Sequence, residues 1–262
     1  MPRPIITLTT DFGHADHYVG VMKGVILRIA PQAEIVDITH DLAAYEIGEA
    51  AFVVEQTYRY FPKKTIHVAV IDPGVGSARR PILVEAAGQY FIAPDNGVLT
   101  PVLLKEKHKA REMTAAKYFL SPVSRTFHGR DIFAPSAAHL AKGAMPASFG
   151  KLIHDHMRMH MPQPTRTSKR AWTGSVLRID RFGNMITNYS TKEFDWIETR
   201  PFEMAVGMQQ IRRIALNYSE CEPGELFLIH GSSGYLEIST SQASAAKMVG
   251  CGVGAPLELS VW

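Results

Sequence analysis

The stretch Thr65-Ile66-His67-Val68-Ala69-Val70-Ile71, running straight into Asp72-Pro73-Gly74-Val75-Gly76-Ser77-Ala78-Arg79-Arg80, decides the fold. An apolar, β-branched run closed by Pro and Gly is a strand, with a polar loop at its C-terminal end. Working back toward the N-terminus, residues 34–38 and 5–9 read as two further strands. Helical stretches separate the three. Val21, Val25 and Ile29 recur at four-residue steps within 18–30, with Pro31 as the stop, and 46–60 is a second helix ended by Pro62. Going forward, 82–86 and 90–93 flank Ala87-Gly88-Gln89 as a hairpin, and 132–142 is a further helix. Strands alternating with helices of this length predict an α/β domain with a mostly parallel sheet.

The pattern changes after residue 160. Residues 161–170 (MPQPTRTSKR) hold two prolines, lack apolar periodicity and read as a linker. Short strand-like runs follow at 174–179, 185–187, 203–206, 225–229, 235–239 and 256–261, the spacing of a small β domain. The expected organisation is an α/β domain over 1–160, a linker over about 161–170 and a smaller β-barrel-like domain over 171–262.

With 262 residues, 46% of them hydrophobic, the chain has ample material for a core, which excludes wholesale disorder. Its 28 Lys+Arg against 25 Asp+Glu is too even a balance for a dedicated nucleic-acid binder. One asymmetry stands out: Arg158, Arg166, Lys169, Arg170 and Arg178 fall between Asp155 and Asp180 with no acid among them. They read as a solvated linker or as a footprint for a polyanion. Cys221 and Cys251 make neither a metal cluster nor a disulfide framework and are expected as reduced thiols. The start, Met1-Pro2-Arg3-Pro4, has no leader-like apolar region, and no run approaches the ~20 apolar residues of a membrane span. A cytoplasmic protein without a membrane partner is expected.

In open α/β sheets ligands collect beyond the C-terminal ends of the strands, where three polar clusters fall. Asp11, in Thr9-Thr10-Asp11-Phe12-Gly13, is either a ligand contact or an N-cap for the helix that follows. In the 72–80 loop Asp72 and Arg79 could face one another; the glycines do not make a dinucleotide fingerprint, because the third is missing and no helix follows. His128 precedes the helix near Ile132 and is a proton-transfer candidate, with Asp131 as a possible N-cap. The groups Asp11, His14, Asp16, His17 and His154, Asp155, His156, His160 raise a metal reading, but neither has a recognised ligand spacing. In the second half, Asp180-Arg181-Phe182-Gly183-Asn184 offers a carboxylate, an aromatic face and an amide. Gly231-Ser232-Ser233-Gly234 offers hydroxyls and backbone N–H groups suited to a carboxylate.

Taken together, the strings TTDFG (9–13), IDPGVGSARR (71–80), APDNG (93–97), FHGRDIFAP (127–135), DRFGNMITN (180–188) and GSSGYLEI (231–238) resemble the S-adenosyl-L-methionine hydroxide adenosyltransferase family, hydrolytic relatives of fluorinase and chlorinase. They occur in the family's order over nearly the whole chain. The resemblance implies an N-terminal α/β domain, a C-terminal β-barrel-like domain and a homotrimer with sites at its subunit interfaces. It implies attack of water or hydroxide at C5′ of S-adenosyl-L-methionine, giving adenosine and L-methionine, with that small molecule as substrate and no cofactor or metal. Its hydrolytic triad maps onto Asp72, Arg79 and His128. Asp11 would then bind the ribose, Asp180 and Ser232 the methionine end with Ser233 close by, and Phe182, Asn184 and Tyr218 adenine.

The halogenases are similar but carry Tyr at the positions of Asp72 and His128 and Ser at that of Gly129, and have an extra loop for which 93–124 leaves no room. A carboxylate at Asp72 would repel a halide, so the sequence favours water. Ser241 stands where hydrolytic relatives usually carry Asn, a departure that bears on the adenine-edge contacts the resemblance implies there and not on the triad. Two other readings remain open: a non-catalytic sensor of S-adenosylmethionine or adenosine, and a metal-dependent hydrolase built on Asp11, His14 and His17. A sensor has no need of Asp72, Arg79 and His128 together. A nucleic-acid partner is not expected.

Overall fold

The computed structural model describes residues 3–262; Met1 and Pro2, part of the start read above as lacking a leader, lie outside the described residues. In the first unit, residues 1–160, β1 (Ile5–Thr10) leads through α1 (Tyr18–Ile29) to β2 (Glu34–Thr39), and α2 (Ile47–Thr57) crosses back to β3 (Ile66–Val70). The hairpin β4 (Pro81–Ala86) and β5 (Gln89–Pro94) follows. Ala87 and Gly88 between them both have positive φ, the backbone a tight two-residue hairpin turn requires. Then come α3 (Thr100–Lys105), β6 (His108–Glu112), α4 (Ala134–Ala141) and β7 (Leu152–Ile153).

The sheet order is β2-β1-β3-β5-β4-β6-β7. It is parallel across β2, β1, β3 and β5 and antiparallel from β5 through β7. The central strands are buried on both faces. Ile6, Leu8, Val68 and Val70 meet α1 and α4 on one side, while Ala69 and Ile71 meet α2 and α3 on the other. From β1 the chain moves outward to β2, then returns to β3 on the far side of β1. This reversal opens a crevice beyond the C-terminal ends of β1 and β3, which is where a ligand fits an open α/β sheet.

The second unit, residues 161–262, begins with β8 (Thr165–Ser168) and β9 (Ala171–Ile179). It continues with β10 (Met185–Ser190), β11 (Phe202–Val206), β12 (Gln209–Ile211), β13 (Ile214–Ala215), β14 (Leu226–His230), β15 (Tyr235–Thr240), α5 (Ala245–Val249) and β16 (Pro256–Val261). The sheet runs β12-β11-β16-β9-β10-β15-β14-β13, with β8 added to β9. One end of β9 (Ala171 to Ser175) pairs with β16 and the other (Val176 to Ile179) with β10, so β9 bends the sheet around a core of Tyr189, Phe194, Met204, Leu236 and Leu257. The stretch read as a linker therefore contains a strand. Thr165–Ser168 is exposed throughout, so it carries no apolar alternation to reveal it.

At the bend, a Cβ on Gly174 would stand 2.4 Å from Asn188 Oδ1 and 2.7 Å from Tyr189 Cε2. Neither neighbour is free to yield, because Asn188 Oδ1 accepts the Ser175 N–H and the Tyr189 ring is fully buried. Gly174→Ala is expected to cost about 2 kcal/mol of overpacking strain, read as a lower urea midpoint at unchanged slope.

Candidate active site

The loop after β3 is wound by two successive turns, Val75 N–H to Asp72 O and Ser77 N–H to Gly74 O, both 3.1 Å. This winding brings Arg79 back over Asp72. Arg79 Nε donates to Asp72 Oδ1 at 2.8 Å, and Nη2 donates to Asp72 Oδ2. The second Nη2 hydrogen reaches His128 Nδ1, with the heavy atoms 2.7 Å apart. Both Asp72 and Arg79 are almost completely buried, and the guanidinium lies 5.3 Å from the Phe133 ring centroid. Its Nη1 is buried and has no partner among the described residues. Arg80 points the other way and holds Asp95 at 2.7 Å and Asp155 at 2.9 Å. APDNG thus braces the loop: Asp95 takes Arg80, and the Asn96 amide donates to Ile71 O at 2.8 Å at the end of β3.

His128 sits just before a π turn, Gly129–Phe133, that leads into α4. Asp131 does not cap this helix. It is buried, accepts the Ser124 N–H at 2.8 Å, and fixes the loop in front of His128. Gly76 locks the two loops together: its φ is +77°, and a Cβ would lie 2.2 Å from Arg125 O. Because a guanidinium only donates, His128 Nδ1 accepts, and the ring's proton resides on Nε2. Burial, reinforced by the Arg79 charge and opposed by Asp72, holds His128 below the ordinary histidine range. The lowered pKa favours the neutral imidazole.

Asp72 and His128 line a cavity of about 330 Å³ walled by Phe12, Tyr18 and Phe127, whose rings pack at 5.1–5.9 Å. Asp11 follows β1 and does not cap α1, whose N-cap is His17 without a side-chain bond. Its Oδ2 accepts the Tyr45 N–H at 2.9 Å. The loop is held by Gly13 N–H to His40 O at 2.8 Å, and by Thr10 Oγ1 against His40 Nδ1 at 2.7 Å. His14 packs on His40 and His17 on Tyr18. Among the described residues no three His, Cys, Asp or Glu side chains are grouped to hold a metal ion. Cys221 and Cys251 are unpaired. No described helix is long and apolar enough to cross a membrane.

In the second unit Asp180, Phe182, Asn184, Tyr218, Ser232 and Ser233 line one cavity of about 880 Å³. Asp180 Oδ1 accepts the backbone N–H of Phe182 and Asn184, and Oδ2 accepts the Asn184 amide, all at 2.9 Å. The loop is thus preset, presenting the Phe182 ring, 78% exposed. Ser241 is buried and does not line the cavity, whereas Thr240 and Gln242 on either side of it do. Thr240 Oγ1 is buried without a partner among the described residues.

Glu237 also lines this cavity, and the motif reading did not single it out. It is 6% exposed, accepts a hydrogen bond from Ser233 Oγ at 3.3 Å, and has its pKa raised by burial and, less, by the charge of Asp180. The signal was present: a Glu between Leu236 and Ile238 in β15 points away from the apolar face.

An α/β unit with a carboxylate–guanidinium–imidazole cluster beyond its strand ends, followed by a β unit with a polar cavity, defines a two-unit protein acting on a small polar molecule. Comparison with known families makes this specific. The SAM hydroxide adenosyltransferase N-terminal domain matches residues 6–150 and the corresponding C-terminal domain matches 174–258. The chain belongs to the SAM hydroxide adenosyltransferase family. It is 35% identical to a protein of Salinispora tropica named (R)-S-adenosyl-L-methionine hydrolase, over 99% of this chain and 98% of the relative. It is 30% identical to a fluorinase of an Actinoplanes species, over 71% of this chain and 72% of the relative. The crystal structure of an uncharacterized conserved protein from Thermotoga maritima superposes with a TM-score of 0.91 at 35% identity, covering 97% of this chain and 99% of the other.

Proposed function

We propose that the protein hydrolyses S-adenosyl-L-methionine to adenosine and L-methionine, water attacking C5′ of the ribose as the C5′–S bond breaks. The observation that carries this reading is the hydrogen-bonded set Asp72, Arg79 and His128, with a buried Arg79 N–H left open beside it. The sulfonium leaves as a neutral thioether and takes the bonding pair, so no acid is required. What is required is a positioned water from which a proton can be taken. His128 Nε2–H donates to the water oxygen, Asp72 accepts its hydrogen and takes the proton, and Arg79 favours the hydroxide character that develops. The same carboxylate disfavours a halide at that point.

Asp11 binds the ribose diol in this reading, and Phe182, Asn184 and Tyr218 hold adenine. Asp180, Ser232 and Ser233 hold the methionine end, with Glu237 added as a partner for its ammonium. The proposal includes the (R) sulfonium named for the relatives, a homotrimer with sites at its subunit interfaces, a cytoplasmic location and no cofactor. Equilibrium sedimentation is expected to return three chain masses.

The test is product analysis after incubation with S-adenosylmethionine, with and without chloride. Adenosine and methionine in equal amounts, unaffected by halide, are expected. A 5′-halogenated adenosine would overturn the assignment to water, and retained, unconverted ligand would favour the sensor. In a single turnover in water labelled with heavy oxygen, the first adenosine formed is expected to carry the label; unlabelled adenosine would reveal an ester on Asp72 instead.

The imidazole must stay neutral to accept from Arg79, and its pKa lies below the usual 6.5. Activity is therefore expected to hold level through neutral pH and to fall only on acidification below that value. A kcat/KM profile whose acid limb sits at or above 6.5 would contradict the neutral donor role.

A further inference from the structure

All three tryptophans of the chain gather in one cavity of about 680 Å³ on the second unit, separate from the cavity of Asp180 and Glu237. Trp172, Trp196 and Trp262 line it together with Arg166, Lys169, Arg170 and Arg200, and no carboxylate side chain takes part in the lining. Three segments converge to build it: the β8–β9 turn with Lys169 and Arg170, the 3-10 turn after β10 with Trp196, and the end of β16. The backbone fixes this convergence, since Val261 N–H donates to Arg170 O at 2.9 Å and Trp262 N–H to Pro201 O at 3.3 Å.

None of the four cations has a carboxylate partner among the described residues. Arg166 lies 5.3 Å from the Trp172 ring centroid and is anchored to the Ser168 and Lys169 carbonyls. Arg200 lies 5.5 Å from the Trp196 centroid. A guanidinium stacked on an indole keeps its N–H edge free for an oxyanion. Glu198, on the same turn as Trp196, reaches His230 at 3.4 Å. Trp262, which lines the pocket, is 58% exposed. Cations of one sign around an open indole attract an anion and offer its base an aromatic face.

We propose that this pocket binds a nucleoside polyphosphate, the base stacking on Trp262 and the phosphates meeting Lys169, Arg170 and Arg200. The volume suits one such molecule. Its lining shares no residue with those assigned to hydrolysis, so occupancy there is a second binding function of the chain.

The tryptophans report on it directly, because no other part of the chain contains one. The full chain is titrated with ATP, inorganic triphosphate, adenosine and a short single-stranded oligonucleotide while indole emission is followed. ATP is expected to give a saturable change, triphosphate a weaker one, and adenosine none. Arg170→Glu with Arg200→Glu is expected to weaken ATP at least about tenfold while leaving hydrolysis of S-adenosylmethionine measured without ATP unchanged. Lys169→Glu, on an exposed turn, gives a second variant should the pair fold poorly. The proposal is overturned by no saturable change, by equal affinity in the charge-reversed variants, or by an oligonucleotide binding more tightly than ATP. Emission that depends on protein concentration without nucleotide also overturns it, since the surface would then be a contact between copies.

Discussion

Asp72→Asn is expected to lower kcat about a thousandfold while the KM for S-adenosylmethionine moves by less than about threefold. The substitution keeps the shape of the side chain but removes its charge. It also turns an amide N–H₂ toward Arg79, which already donates from both Nε and Nη2. The guanidinium then loses its anchor, and with it the donor that fixes the His128 tautomer at Nδ1. One change therefore disables all three groups. His128→Ala with Asp72→Ala should accordingly cost little more than either alone; a product of the two single losses would show independent groups instead. Arg79→Lys keeps the positive charge, but one ammonium cannot hold both carboxylate oxygens and an imidazole in a plane. A loss of about a hundredfold is expected from it. Stopped assays with adenosine separated by chromatography measure all of these.

The loops that hold this cluster are locked by contacts that a sequence shows only as glycines. Gly76 sits at positive φ against the Arg125 carbonyl, a contact 49 positions along the chain that the 72–80 sequence shows only as a glycine without a dinucleotide fingerprint. The approach of Asp72 to Arg79 was legible, since seven residues of wound loop can close on themselves. The meeting of Arg79 with His128, 49 positions apart, was accessible only through the family resemblance.

Among the elements, β3 and β16 were readable because buried residues recur along them. In contrast, β6 (HKARE) buries only Ala110, and α3 is too short for its periodicity to show. β8 is exposed along its whole length. The antiparallel half of the first sheet was foreshadowed only by the β4–β5 hairpin. Burial, more than propensity, decided what could be read.

Glu237→Gln is expected to raise the KM for S-adenosylmethionine about ten- to a hundredfold, with a smaller change in kcat and no change in the affinity for adenosine. The reasoning starts from an imbalance. Asp180 already receives three hydrogen bonds from its own loop, whereas Glu237 is more deeply buried and, among the described residues, accepts from Ser233 at the longer distance of 3.3 Å. On the proposed reading, the cationic end of the substrate relieves what burial imposes on Glu237, and the unliganded protein carries the cost. Its folded pKa is raised above the unfolded value of 4.5. The carboxylate therefore destabilises the fold at neutral pH, and the penalty fades as pH falls through the folded pKa toward 4.5. Without ligand, Glu237→Gln should thus melt at a higher temperature than the parent at neutral pH, and the advantage should vanish below about pH 4.5. Adding S-adenosylmethionine should raise the melting temperature of the parent more than that of the variant. Equal ligand-induced shifts would remove Glu237 from the methionine end, whereas a variant that melts lower at neutral pH would mean the carboxylate is structurally compensated by a contact stronger than the Ser233 bond.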